Sequence, residues 1–377
     1  EPLPAAAART PPSFLLVTHN LNYEGAPLFL VEYARALTQA TTGARVTVLS
    51  LKDGALRDEF AAAGASVRIA DQSEPDWREF DLVVANTLAC HQAITAAHRA
   101  GRPTLLYIHE STTPAFFYRD NPTELPAARA ALARATKVSF LTESTRRYYA
   151  DIGDGSNFCI NPGWIDLRGI AAHHSEHSRA ALRAKLGLKP DELLVANVGT
   201  VCDRKGQHVF IRALELLAQR NAELARRCRF VMVGGRDTPY NELLLAELAE
   251  LGRPNAEIVR ETAHAFDYYG AADLFVCTSY EESFPRVVLE AMAFGLSILA
   301  SGVHGIPEMV RDGHEAILVP PGDTAALAAG LIHLLGAPDE AARLGAAARK
   351  RVEAEFGIAT VMPRHLALAS ELAARRG

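Results

Sequence analysis

From residue 13 onward, short apolar runs alternate with stretches of helical or polar pattern. SFLLVTHN (residues 13–20) reads as a buried strand, and a turn containing Gly25 leads into helical spacing through Leu28, Val31, Ala34 and Leu37. ARVTVLS, ASVRIA, DLVVANT, PTLLYIHE, KVSFLTES and NFCINPGW continue the series. Runs this short, apolar on both faces and alternating with helices, predict a parallel sheet covered by helices. After a polar, histidine-rich stretch, DLRGIAAHHSEHSRAALRAKLG, the pattern restarts with LLVANVGT, RFVMVGG, AEIVRET, DLFVCTSY and LSILAS. The prediction is an α/β chain of two doubly wound, Rossmann-like domains, covering residues 13–170 and 171–357. An Ala/Leu/Arg-rich helix over 358–377 is expected to cross back to the first domain. Residues 1–12, EPLPAAAARTPP, are expected to be a disordered lead-in. They have no basic start followed by an apolar stretch and so do not read as a signal peptide; the missing initial Met leads to the expectation of a piece of a longer polypeptide. Ligands of such domains bind outside the carboxyl ends of the strands, so two facing domains are expected to hold the site in the cleft between them.

Composition narrows the function classes. The 377 residues are 49% apolar and 22% charged, enough to bury more than one core, which excludes a disordered chain. Lys+Arg number 39 against 44 Asp+Glu, a net charge of −5, which argues against nucleic acid as a partner. The cysteines (Cys90, Cys159, Cys202, Cys228 and Cys277) include no C-x-x-C pair, so the expected setting is reducing and cytoplasmic. No apolar run approaches the roughly 18 residues that span a bilayer.

The chemistry is sought where strands end. No G-x-G-x-x-G follows the first strand, no P-loop motif occurs, and no Asp-x-Asp pair offers a cradle for a divalent ion on a diphosphate. VGTVCDRKGQH (198–208) instead places Arg204, Lys205 and Gly206 between a strand and a helix, where cations and free backbone N–H groups suit phosphate oxygens. Each charge-assisted bond there contributes about 1.5–3 kcal/mol. A solvated basic turn is the plainer alternative. In TSYEESFPRVVLEAMAFGLSILAS (278–301) a strand runs into an acidic loop, Pro285 suits the first turn of a helix, and Gly295 suits its end. Glu282 then lies at the helix entrance and Glu290 on its second turn, while the free N–H groups of Phe284, Arg286 and Val287 on either side of Pro285 favour an anion. A carboxylate beside an anion site costs electrostatic energy unless it meets developing positive charge or binds hydroxyls. The plainer alternative is that Glu281 and Glu282 only complement the helix dipole.

Glu282-Ser-Phe-Pro…Glu290-Ala-Met-Ala-Phe-Gly, GVHGIPEMVRDGHEAILVPPGD and INPGWID, in this order and spacing, resemble the retaining GT-B glycosyltransferases of family 4. The resemblance covers most of residues 14–360 and implies two facing domains with the active site in the cleft. It implies that Glu290 binds the ribose of a sugar nucleotide and that Glu282 lies near the donor sugar. Arg204 and Lys205 would hold the diphosphate, with Gly25 approaching it from the first domain. His109 would contact the donor sugar, and the backbone around Thr262 would meet the base. Two departures stand out: Thr200 follows the glycine where many members carry Arg, and Pro285 removes one backbone donor.

The expected function is transfer of a hexosyl-type sugar from a UDP or GDP sugar to a hydroxyl of a glycan, lipid-linked or small-molecule acceptor. Retention at the anomeric carbon, no cofactor and no required metal are implied, in glycan or polysaccharide synthesis, with peripheral contact at the inner membrane face left open. The rivals are a sugar-nucleotide epimerase or hydrolase and a non-catalytic binding subunit. His173, His174 and His177 read as a solvated linker rather than a metal site, because no further ligand lies near them in sequence. Asn86 and Glu110 follow strands and fit either a cleft or ordinary loop capping. The aromatic stretch at 116–120 is open between acceptor contact and packing of the domain, whereas Arg146-Arg147-Tyr148-Tyr149 reads as a charged helix face in preference to a membrane or lipid-linked acceptor contact.

Overall fold

The computed structural model describes residues 11–70, 74–253 and 255–375, so the lead-in up to residue 10 lies outside the described residues. The chain divides into two compact units, 1–163 with 362–377, and 164–361. The division falls at Gly163, some residues ahead of the boundary expected near 170.

The first unit is built on seven strands: β1 (Ser13–Thr18), β2 (Arg45–Ser50), β3 (Ser66–Ile69), β4 (Leu82–Asn86), β5 (Thr104–Ile108), β6 (Lys137–Phe140) and β7 (Phe158–Ile160). They hydrogen-bond in the order β3-β2-β1-β4-β5-β6-β7, every pair parallel. β1, β4 and β5 are buried along their whole length, as their unbroken apolar runs require, while the edge strands β3 and β7 are partly exposed. The sheet order reverses between β1 and β4.

The second unit carries β8 (Leu193–Val198), β9 (Cys228–Gly235), β10 (Ala256–Arg260), β11 (Leu274–Cys277), β12 (Ser297–Ser301) and β13 (Ile317–Val319). Their order is β10-β9-β8-β11-β12-β13, again parallel throughout, with the reversal between β8 and β11. β13 was not among the expected strands. It has three residues and gains its place only by pairing with β12 through Leu299↔Ile317, Ala300↔Leu318 and Ser301↔Val319.

The histidine-rich stretch is not a linker. It folds as two helices of the second unit, Leu167–Glu176 and Arg179–Lys185, whose first turns are capped by the side chains of Asp166 and Ser178. Ile170 and Leu182 are buried in that unit's core. At the other end, helix Ile358–Ala374 passes into the first unit, where His365 is fully buried. There the Tyr107 hydroxyl lies 2.7 Å from His365 Nδ1, and His365 Nε2 lies 3.0 Å from the Pro162 carbonyl. Among the described residues no helix is long and apolar enough to cross a membrane.

Candidate functional site

In each unit the sequence-derived residues follow the carboxyl ends of the strands, and all but Thr262, which follows the edge strand β10, lie beside the point where sheet order reverses. In the second unit, β8 and β11 pair only through Leu274↔Val195 and Phe275↔Ala196, and the Asn197 amide bridges to the Val276 carbonyl at 2.9 Å. Two loops leave from there, one after β8 and one after β11. They are stapled together: Tyr280 N donates to the Arg204 carbonyl at 2.8 Å, and the Thr278 hydroxyl donates to the Lys205 carbonyl at 2.9 Å.

Gly206 makes this close approach possible. It sits at φ +64° at the entrance to helix Gln207–Arg220, and a Cβ there would lie 2.3 Å from the Thr278 carbonyl oxygen. The turn it ends, Asp203–Lys205, aims both cations at the second loop. Lys205 Nζ is ion-paired with Glu282 Oε1, and the Ser279 hydroxyl donates to the same oxygen at 2.8 Å. Arg204 is half-exposed, with Nη1 4.0 Å from Glu282 Oε2 and 3.4 Å from the Glu281 carbonyl. The side chains of Lys205 and Glu282 are only 13% and 7% exposed, so this is a largely desolvated pair rather than a solvated basic turn. The carboxylate at the helix entrance is thus offset by an ammonium group and a hydroxyl, beyond any interaction with the dipole.

Pro285 is the N-cap residue of helix Arg286–Ala293, one position ahead of the first turn expected for it, and Gly295 follows the helix end at φ +70°, as the sequence implied. Phe284 turns into the core, its ring edge-on to Phe356 at 5.4 Å. Glu290 lies on the second turn, accepting from the Tyr269 hydroxyl at 3.0 Å and from Arg286 Nε at 3.3 Å. The main chain of Glu282 also accepts from Gly305 N at 3.0 Å, which ties in the loop after β12. Thr262 follows β10 and makes a local turn, its hydroxyl accepting from His264 N at 3.1 Å; it does not join the Lys205–Glu282 or Glu290 networks.

In the first unit, Gly25 opens helix Gly25–Ala40 after β1. It is exposed, its φ is an ordinary one, and nothing lies within 4 Å of where a Cβ would stand, so neither backbone nor packing demands glycine. His109 follows β5, with Nε2 2.8 Å from Asn86 Oδ1. Asn86 donates its amide N–H to the Ala26 carbonyl at 2.7 Å, which turns Oδ1 toward the imidazole. The ring therefore carries its proton on Nε2 and leaves Nδ1 as the acceptor. Burial, with lesser repulsion from His19 and His365, lowers the His109 pKa to about 3, so the ring is neutral at neutral pH. The Phe29 ring meets it edge-on at 4.9 Å.

Glu110 resolves toward loop capping. Its carboxyl oxygens accept from Leu88 N at 2.8 Å and His109 N at 3.0 Å, while burial raises its pKa to about 7. Between these groups Thr87, a β-branched residue, stands at φ +100°, a strained position of the kind that clusters at functional sites.

Sequence reasoning missed Ser279, Tyr269 and the positioning role of Asn86. Ser279 sits three residues before Glu282 at the end of the same strand run, a local signal. Tyr269 reaches Glu290 from helix Ala265–Ala271, and nothing local announces it.

Residues 178–351 match the family described as "Glycosyl transferases group 1", and residues 11–157 match "Glycosyl-transferase family 4". A D-inositol 3-phosphate glycosyltransferase of Streptomyces scabiei is 31% identical over 88% of this chain and 83% of its own. One of Nocardia farcinica is 38% identical over 57% of this chain and 48% of its own. Among solved structures, HepE of Anabaena in complex with UDP and glucose superposes with a TM-score of 0.82 at 22% identity, covering 95% of this chain and 99% of its own. WaaG, a glycosyltransferase involved in lipopolysaccharide biosynthesis, gives 0.73 at 18% identity over 94% and 98%. These likenesses identify the fold as GT-B.

Proposed function

The chain belongs to the group 1, family 4 glycosyltransferases, and from this premise we propose that it moves a sugar from a nucleoside diphosphate sugar to an acceptor hydroxyl with retention of anomeric configuration. The observation that carries this reading is the Lys205–Glu282–Ser279 cluster beside Arg204, at the point where sheet order reverses between β8 and β11. A nucleoside diphosphate leaving group needs concentrated positive charge, and a cationic sugar carbon needs a nearby carboxylate; the cluster contains both.

In the proposed step the bond from the anomeric carbon to the diphosphate oxygen breaks, and its electron pair stays on that oxygen. Arg204, Lys205 and the N-terminal amides of helix Arg286–Ala293 stabilise the charge that develops there. The acceptor oxygen forms its bond to the same face of the sugar and gives its proton to the departing phosphate. Glu282 stabilises the oxocarbenium-like sugar, and His109, neutral and with Nδ1 as acceptor, receives a hydrogen bond from a sugar hydroxyl. Glu290, steadied by Tyr269 and Arg286, takes the ribose hydroxyls, and the backbone near Thr262 takes the base. The open surface above Gly25 is where a diphosphate would meet bare backbone.

A UDP-type donor is favoured because HepE has been solved with UDP and with UDP-glucose. For the acceptor, relatives named D-inositol 3-phosphate glycosyltransferases put a phosphorylated small polyol beside glycan and lipid-linked hydroxyls. The test is a thermal-shift panel of UDP, GDP, dTDP, ADP and NAD with and without EDTA. A ligand at about 100 times its dissociation constant adds about 2.7 kcal/mol. One diphosphate raising the transition equally in EDTA is the expected result, and turnover of the matching sugar nucleotide that needs an acceptor completes it. No shift with any diphosphate would overturn the assignment, and donor consumption without acceptor would make the protein a hydrolase or epimerase.

A further inference from the structure

Apart from the proposed transfer site, the second unit holds a cluster that sequence spacing alone dismissed. His173 and His177 stand four residues apart, at the end of helix Leu167–Glu176 and at its C-cap, a spacing that puts both rings on one side of the helix. Their ring centroids are 4.8 Å apart. The third group comes from helix Ala265–Ala271: Asp267, with its side chain 7% exposed, lies 2.9 Å from His173 Nε2. One nitrogen of each histidine and one carboxylate oxygen of Asp267 lie within 4.8 Å of one another.

We propose that His173, His177 and Asp267 form a binding site for a divalent transition-metal ion of the zinc class, with water completing the coordination. Two imidazoles and a carboxylate suit zinc, cobalt, nickel or copper and not magnesium or calcium. Zinc with ligands at about 2.0–2.2 Å sets neighbouring donors roughly 3.3 Å apart. His173 and Asp267 are already that close, and His177, exposed at the helix end, has the freedom to swing in. The metal takes the place of the proton shared by His173 Nε2 and Asp267 Oδ1.

The surroundings are arranged for this. Lys185 Nζ holds the other carboxylate oxygen, Oδ2, at 2.6 Å and so orients Oδ1 toward the histidines, as an outer-shell partner does. His173 Nδ1 is buried with no hydrogen-bond partner, so the ring's one side-chain hydrogen bond is to Asp267, while Phe266 and Phe294 pack edge-on against it. Gly270 leaves the ring its space: a Cβ there would come 3.4 Å from His173 Cε1 and 2.5 Å from Leu182 Cδ1. A bound ion therefore clamps helix Leu167–Glu176 to helix Ala265–Ala271, and its role is structural.

The test is calorimetric titration of tag-free, EDTA-stripped protein with ZnCl2, paired with the visible ligand-field spectrum of the Co2+ form. One Zn2+ per chain, Co2+ bands of a four- or five-coordinate site, and no response to MgCl2 are expected. Loss of an outer-shell partner weakens metal sites 10–100-fold, so His177→Ala, which removes a ligand from an exposed position, is expected to weaken binding at least about 100-fold. Asp267→Asn is expected to change the Co2+ spectrum. His174→Ala is the control, because His174 packs on Phe294 instead. Absence of a one-to-one endpoint overturns the site, as does unchanged affinity in His177→Ala or an equal loss in His174→Ala. The proposal is independent of the transfer chemistry: EDTA is expected to lower the melting temperature of the free protein while leaving the increment added by a nucleoside diphosphate unchanged.

Discussion

Lys205→Ala separates two consequences of one ion pair. Glu282 would keep the Ser279 hydroxyl at 2.8 Å but lose the ammonium group, with its carboxylate still 7% exposed. Removing one partner of a buried pair costs about 3–5 kcal/mol, because the remaining charge stays desolvated. Here the half-exposed guanidinium of Arg204, already 4.0 Å from Glu282 Oε2, can move closer. The expected loss is therefore about 2–3 kcal/mol. In a unit of about 200 residues each kcal/mol moves the transition by about 2–4 °C, so the melting temperature is expected to drop by about 4–12 °C. Adding Glu282→Gln neutralises the stranded carboxylate and keeps an oxygen for Ser279, so stability is expected to return to within about 1 kcal/mol of the parent. Activity behaves differently. Assayed below its transition, Lys205→Ala is expected to lose about 100-fold or more in turnover, the scale of a lost transition-state donor, and the double variant does not recover it. A single variant that melts with the parent refutes the desolvated pair. A stable variant with near-normal turnover refutes the diphosphate role of Lys205.

Gly206→Ala forces a side chain into φ +64° and against the Thr278 carbonyl; strain alone costs about 1–3 kcal/mol, so a loss under about 1 kcal/mol in chemical denaturation would contradict the described loop contact. Tyr269→Phe removes the hydroxyl that reaches Glu290 at 3.0 Å and the Val287 carbonyl at 3.2 Å. It is expected to weaken UDP binding about 10-fold by calorimetry, the scale of one hydrogen bond to a charged group, and unchanged affinity would refute the positioning of Glu290 by Tyr269. Burial raises Glu110 from 4.5 to about 7, so its contribution to stability is full below pH 4.5 and is lost as pH rises through 7. Glu110→Gln is therefore expected to gain on the parent by up to about 3 kcal/mol across that window, and parallel stability curves would refute it. Burial lowers His109 to about 3 and His365 to about 4 from 6.5. The stability they confer is complete above pH 6.5 and disappears as pH falls through 4 to 3, readable as acid unfolding that is steeper once Glu110 no longer opposes it.

Much of this was legible along the chain because it is local. An unbroken apolar run as short as SFLLVT, too short for a helix, reads as a strand buried on both faces, so the seven strands of the first sheet and five of the six in the second stand out. β13 did not, since three residues are too few for a period. Loop chemistry was local too: Arg204 and Lys205 before a helix, and Glu282, Pro285, Glu290 and Gly295 at fixed spacing, fell where their order implied.

The sequence by itself determined two parallel α/β sheets, the loops that leave their carboxyl ends, and the residues those loops carry. Only the tertiary structure decided which of those residues meet. The Lys205–Glu282 pair spans 77 positions, the His173–Asp267 bond 94, and the Tyr107–His365 contact 258. Periodicity reports which face of an element is apolar. It says nothing of which polar groups on distant elements converge, because strand order and helix packing set that. For the same reason a histidine-rich stretch read as a solvated linker became two core-packed helices: the cap residues are local, but Asp267 is brought to His173 only by the fold.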